Sequence, residues 1–202
     1  MDLPRLISLS GKKNCGKSFL SNICVKLGYT KLSFATNLKL LICDLLGISL
    51  VYLNNNKDIP FNYKLKINKD KFCIIYNKTN IPLHIIENSL LNKTFTTYRE
   101  ILQFIGTDLI RNHNSNWHID NIKDIIYKNP DVKFCLDDTR FLNELNLIKE
   151  LNGLTFYIKT YKNINDLHIS ENEMSPENCN YILINKFNND IVTDFLKIIY
   201  TQ

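Results

Sequence analysis

Eight residues near the amino terminus, Gly11-Lys12-Lys13-Asn14-Cys15-Gly16-Lys17-Ser18, match the pattern G-x-x-x-x-G-K-[ST] in full. Their chemistry is the cradling of a polyphosphate. Gly11 and Gly16 let the backbone turn its N–H groups inward, those of Lys13 and Asn14 among them. The ammonium of Lys17 reaches the β- and γ-phosphates, and the hydroxyl of Ser18 holds Mg²⁺. A short apolar run, Leu6 to Ser10, precedes the loop, and Ser18 to Leu27 follows it with helical apolar spacing. The strand supplies the rigid mount, and the helix begins at the anion, where its dipole is positive.

A second group lies at Asp137-Asp138-Thr139-Arg140, after the apolar run Val132 to Leu136. In open α/β sheets ligands bind beyond the carboxyl ends of strands. A carboxylate there, Asp138 before Asp137, can hold Mg²⁺ or its water shell, and either Asp can instead cap the following helix. The chain has 21 Lys and only four Arg, at 5, 99, 111 and 140. Planar guanidinium groups hold phosphates bidentately. Arg99, Arg111 and Arg140 are therefore candidate phosphate ligands, with surface ion pairing as the other reading, and Arg5 reads as structural.

The elements that must position these groups follow from periodicity. Strands are expected at Leu6–Ser10, Thr30–Phe34, Val132–Leu136, Leu154–Lys159 and Tyr181–Ile184. Helices are expected at Ser18–Leu27, Leu38–Leu46, Tyr98–Arg111, Ile119–Tyr127, Asn143–Leu151 and Ile191–Tyr200. The alternation predicts an α/β fold, a parallel sheet wrapped by helices. Residues 48–93 are rich in Asn and Lys and read as an inserted β-hairpin region, with Tyr63–Ile67 and Phe72–Tyr76 as its strands. The 202 residues suit a single domain over 1–202.

Composition excludes several classes. At 45% hydrophobic and 22% charged residues the chain is not disordered. No apolar run reaches the roughly 18 residues of a membrane span, and no signal peptide is legible, so a cytoplasmic protein is expected. Six cysteines show no zinc spacing and read as buried thiols. The net charge of +5 is mild and suits an anionic small substrate. The abundance of Lys, Asn and Ile, all with AT-rich codons, suggests an AT-rich and viral genome, and so a host-cytoplasmic setting.

Taken together the blocks resemble the bacteriophage and viral deoxynucleoside monophosphate kinases, which have the P-loop nucleoside monophosphate kinase fold. Beside the loop at 11–18, Ser33-Phe34-Ala35-Thr36-Asn37-Leu38-Lys39 is similar to the family's SFA-x-x-LK segment. Arg99 to Asp108 is similar to R-x-x-LQ-x-x-GTD, Asp138 to Glu144 to D-x-RF-x-NE, and His168 to Glu171 to H-x-SE. The resemblance implies transfer of the ATP γ-phosphoryl to a deoxynucleoside 5′-monophosphate. Lys17, Asp138 and Arg140 would then be catalytic, Ser18 and Asp138 the Mg²⁺ residues, and Gly11, Lys13, Asn14, Gly16, Lys17 and Ser18 the ATP loop. Ser33, Lys39, Arg99, Gln103, Asp108 and Arg111 would bind the acceptor. His168 and Glu171 would belong to a lid at 160–178 that closes over ATP; it contains no Arg, so Lys159, Lys162 or His168 is expected to carry its charge. Asn37 stands where the family often has Pro, and Trp117 reads equally as a base-stacking ring or a core residue. The expected partner is a small-molecule nucleotide, with a second copy of the chain as a further candidate and neither membrane nor nucleic acid expected. Two alternatives share the loop: a phosphomevalonate-kinase-like enzyme and a nucleotide-binding scaffold without turnover.

Overall fold

The computed structural model describes residues 3–161, 173–188 and 190–201. They form two compact units, Met1–Phe34 with Ile119–Gln202, and Ala35–His118. The first contains β1 (Leu6–Ser10), α1 (Lys17–Lys26), β2 (Thr30–Leu32), most of α7 (Trp117–Lys128), β3 (Phe134–Leu136), α8 (Leu142–Glu150), β4 (Leu154–Thr160), β5 (Tyr181–Asn185) and α9 (Asp190–Tyr200). The second contains α2 (Thr36–Leu46), α3 (Leu50–Asn56), α4 (Phe72–Thr79), α5 (Leu83–Leu90) and α6 (Tyr98–Gln103).

The sheet of the first unit is wholly parallel, in the order β2-β3-β1-β4-β5. Every residue of β1 is buried, as an apolar run in a central strand requires. Alternate side chains enter opposite layers. Ile7 and Leu9 join Leu20 and Cys24 of α1 and Ile191, Phe195 and Ile199 of α9. Leu6 joins Ile119, Ile122 and Ile126 of α7 and Leu147 and Ile148 of α8. Ser8 and Ser10 share the Leu6 face, so β1 carries two hydroxyls into this layer. Arg5 is structural, as expected: it donates to the carbonyls of Ile126 (2.7 Å) and Asn129 (3.0 Å) at the end of α7.

The inserted β-hairpin expected over 48–93 is not there. The stretch folds as α3, a 3-10 turn at Lys69–Lys71, α4 and α5. Phe72–Tyr76 lies in α4, where Phe72, Ile75 and Thr79 form the buried face at helical spacing. A run as short as Phe72-Cys73-Ile74-Ile75 cannot be told from a strand by periodicity, and burial on one helical face decided it. Tyr63–Ile67 keeps one trace of β-structure, an isolated antiparallel bridge of Leu65 with Phe95. The second unit packs around its own core, in which Leu41, Ile42, Ile75, Ile86, Ile101 and Ile105 are fully buried. The helix expected at 98–111 is continuous but changes pitch, with α6 passing into a π-helix over Phe104–Arg111. Among the described residues no single helix is long and apolar enough to cross a membrane.

Phe195 is fully buried and meets Phe156 edge-to-face at 5.1 Å. Phe195→Ala is expected to lower stability by about 3–5 kcal/mol, read as a reduced urea midpoint at unchanged slope. A loss under about 1 kcal/mol would contradict the packing described for α9.

Candidate functional site

Because the five strands run in one direction, their carboxyl ends share an edge, and the phosphate loop grows from the end of β1. Gly11 and Gly16 adopt φ of 131° and 109°, a region closed to most side chains, and Asn14 adopts 61°, which Asn tolerates. Space is as demanding as torsion. A Cβ on Gly11 would strike the carbonyl oxygen of Ile158 in β4, and one on Gly16 would lie 2.6 Å from the Asn185 amide nitrogen. Gly16 caps α1, so the helix starts directly under the loop.

Lys17 is buried, and its ammonium donates to the carbonyls of Gly11 (2.5 Å) and Lys12 (2.8 Å). Burial pulls its pKa below the ordinary lysine value, Arg140 pulls in the same direction, and Cys15 and Asp137 oppose them. The structure thus brings Lys17, Arg140 and Asp137 into one electrostatic neighbourhood. Ser18 is exposed in the first turn of α1.

Asp138 is a strut in this structure. One oxygen accepts from Ser33 Oγ (2.6 Å) and the other from the Phe34 amide (3.0 Å), which joins the end of β3 to the end of β2. Ser33, expected at the acceptor, is therefore a partner of Asp138. Asp137 pairs with Lys31 at 2.6 Å. Its charge acts on both Lys17 and Cys135, and Cys135 packs in the layer of α1. Cys135 and Asp137 stand two residues apart at the end of β3, so alternation turns both toward the layer of α1.

The fit to a divalent cation follows from these donors. No cluster of three or more metal-ligating side chains occurs among the described residues. Mg²⁺ keeps several waters and takes only one or two protein carboxylates with substrate phosphates, and the Ser18 hydroxyl and the carboxylates of Asp137 and Asp138 are donors of that kind.

Two further residues, Asn185 and Glu144, contribute in ways that the sequence does not assign. Asn185, buried at the end of β5, donates from Nδ2 to the Cys15 carbonyl (2.8 Å) and accepts from the Phe187 amide (2.7 Å), which pins the loop from the side. Its signal was available: a polar residue closing an apolar strand at the ligand edge. Glu144, buried on α8, accepts from the amides of Arg140 (2.9 Å) and Phe141 (3.2 Å). It fixes the backbone that carries Arg140.

The remaining acceptor candidates, Lys39, Arg99, Gln103, Asp108 and Arg111, lie in the second unit. Arg99 makes a two-point ion pair with Asp58, from Nε to Oδ1 and from Nη2 to Oδ2, the latter at 3.1 Å. Its helix is anchored by Thr97, whose hydroxyl accepts from the Glu100 amide at 3.1 Å. Hydrogen bonds from the Thr96 backbone and hydroxyl hold the Glu100 carboxyl below its usual value. Arg111 donates from Nη1 to the Ser115 carbonyl at 3.5 Å. Arg99 and Gln103 stand one α-turn apart and share a face. The π-turns beyond make residues five apart neighbours, so Asp108 follows Gln103 along that face rather than turning away. Trp117 is half-buried, donates to the Lys78 carbonyl at 3.0 Å and meets His118 edge-to-face. His118 is buried beside the Gly106 carbonyl, and His84 and His113 are exposed. His168, Glu171 and most of the expected lid lie outside the described residues.

Comparison with known proteins bears on this arrangement. A dephospho-CoA kinase structure from Campylobacter jejuni covers 98% of this chain and 98% of its own, at 14% identity and a TM-score of 0.45. A protein of Acanthamoeba polyphaga mimivirus, provisionally named a deoxynucleotide monophosphate kinase, is 27% identical over 200 residues, covering 89% of this chain and 88% of that protein. The family model described as deoxynucleotide monophosphate kinase matches residues 37–198. The match begins after the phosphate loop and runs through both the second-unit helices and the Asp138–Glu144 turn, so loop and match are separate observations that agree. The chain belongs to the deoxynucleotide monophosphate kinase family.

Proposed function

We propose that this protein transfers the γ-phosphoryl group of ATP to a deoxynucleoside 5′-monophosphate, releasing ADP and the deoxynucleoside diphosphate. The observation that carries this is the phosphate loop: left-handed glycines, a helix starting beneath them, and a buried ammonium hydrogen-bonded to two carbonyls of the loop. Family membership supports the nucleotide acceptor over phosphomevalonate.

In this reading the loop amides and the α1 amino terminus hold the β- and γ-phosphates. Lys17 exchanges its carbonyl partners for phosphate oxygens. Arg140, in the same electrostatic neighbourhood, meets the charge on the transferring group. Ser18 and the carboxylates at the β3 end, Asp138 and Asp137, would hold Mg²⁺ and its water shell, and the ion would supply charge neutralisation at the phosphate oxygens. Asp138 keeps the β2 and β3 ends in register, and so places Ser33 and Arg140. The Arg99–Gln103–Asp108 face of the second unit receives the acceptor, with Arg99 for its phosphate and the Gln103 amide for a base edge. Phosphoryl transfer needs alignment and charge cancellation more than a covalent catalyst, and these residues supply both.

ADP release is to be measured with ATP–Mg²⁺ and each of dTMP, dGMP, dCMP and dAMP, with their ribose forms and phosphomevalonate beside them. Turnover of at least one deoxynucleotide is expected, and Lys17→Ala is expected to lower it by about 10²–10³-fold or more while the protein stays folded. Full activity in folded Lys17→Ala, or turnover of phosphomevalonate alone, contradicts the proposal.

Lys17 also predicts a pH dependence. Between its lowered pKa and the ordinary 10.5, the unfolded chain holds a proton that the folded chain has released. Its contribution to stability therefore rises with pH across that window. The urea stability of wild type relative to Lys17→Met should improve as pH climbs from 7 toward 10.5, and a flat or falling difference would contradict the burial of the ammonium.

A further inference from the structure

Two residues of the central strand β1 present hydroxyls to the layer of α7 and α8, where such a strand ordinarily presents branched apolar side chains. Ser8 and Ser10 of β1 are fully buried, and Thr139 is 1% exposed. All three converge on one turn. Ser8 Oγ donates to Thr139 Oγ1 at 2.7 Å, and Ser10 Oγ donates to the Thr139 carbonyl at 2.9 Å. Burying a hydroxyl costs free energy that its hydrogen bonds only offset, so the core gains little from them. What they do is local. Thr139 lies between Asp138, tied to Ser33 and Phe34, and Arg140, whose amide is tied to Glu144. The strand that bears the hydroxyls is the strand that ends in the phosphate loop.

We infer that Ser8, Ser10 and Thr139 are positioning residues for phosphoryl transfer. They clamp the Asp138–Arg140 turn directly to β1, so that Arg140 and the phosphate loop are mounted on one strand and share one frame. The inference rests on the role given to Arg140 under the proposed function. A clamp of this kind acts on alignment and not on ATP affinity, because no clamp atom belongs to the loop that holds ATP. The cost of its loss is a turn displaced by a fraction of an ångström, to which transfer rates are far more sensitive than binding.

The test uses the full-length protein and three variants. Thr139→Val keeps shape but removes the hydroxyl, Thr139→Ser keeps the hydroxyl, and Ser10→Ala removes the contact to the Thr139 carbonyl while leaving the Ser8–Thr139 bond. Thr139→Val is expected to lower kcat about 10–100-fold with KM for ATP and calorimetric ATP–Mg²⁺ affinity within about threefold of wild type. Thr139→Ser is expected to stay close to wild type, and Ser10→Ala to fall between. In an Arg140→Ala background, Thr139→Val should cost little more, since it acts through Arg140. Exchange of the Arg140 and Phe141 amides should quicken in Thr139→Val but not in Thr139→Ser. An unchanged kcat in Thr139→Val, an equal loss in Thr139→Ser, or a full further loss in the Arg140→Ala background overturns the clamp. Should Thr139→Val fail to fold, Ser10→Ala carries the same comparison. Should wild type phosphorylate no nucleoside monophosphate, the proposed function fails, and amide exchange alone then decides whether the turn is clamped.

Discussion

The ammonium of Lys17 is the charge around which the first unit is organised. It is buried at the end of a parallel sheet, and the oxygens it touches are two carbonyls of its own loop. An ammonium so placed is poorly solvated and would be more comfortable against phosphate. Holding it there requires two glycines in left-handed torsions, a helix beginning at Gly16, and the Asn185 amide bracing the Cys15 carbonyl from β5. The sheet order matters for the same reason. With β1 at the centre, the loop has β3 on one side and β4 on the other, and the polar ends of β3 and β5 close upon it. Arg140 adds a second cation to the neighbourhood, which lowers the Lys17 pKa further. Two positive groups that repel in the protein alone are the arrangement expected of a site that gathers phosphate charge.

The second unit solves a different problem. It presents Arg99, Gln103 and Asp108 from a single helix whose pitch changes in the middle. A uniform α-helix would swing Asp108 away from the face that Arg99 and Gln103 share. The π-turns at Phe104–Arg111 keep it nearer, and Gly106 fits there because a larger side chain would collide with Leu38. π-turns are uncommon and recur at functional sites.

Much of this was legible in the residues. The phosphate loop, its strand and its helix follow from spacing and glycine chemistry alone, and so does the parallel sheet. The turn at 137–140 is legible in the sequence as the end of a strand at the ligand edge, but its contacts to β1 and β2 are not. The hydrogen bond from Ser33 to Asp138 joins β2 to β3, and such a contact across strands leaves no trace in sequence spacing. Asn185 stands 170 residues from the Cys15 carbonyl it holds, and the Ser8–Thr139 bond spans 131 residues. Contacts of that range are decided by topology. The hairpin expected at 48–93 failed for a local reason: short apolar runs flanked by Asn and Lys fit either period, and the buried face of α4 chose the helix.

The most direct test of the whole account is phosphorus NMR of ATP–Mg²⁺ and a deoxynucleoside monophosphate mixed with the protein, followed over time. The account predicts that the γ-phosphate signal of ATP declines as the two signals of a deoxynucleoside diphosphate grow, in equal measure with ADP. Growth of inorganic phosphate with the monophosphate signal unchanged would mean that the loop hydrolyses ATP without passing the group to a nucleotide. That result would contradict the account at its centre.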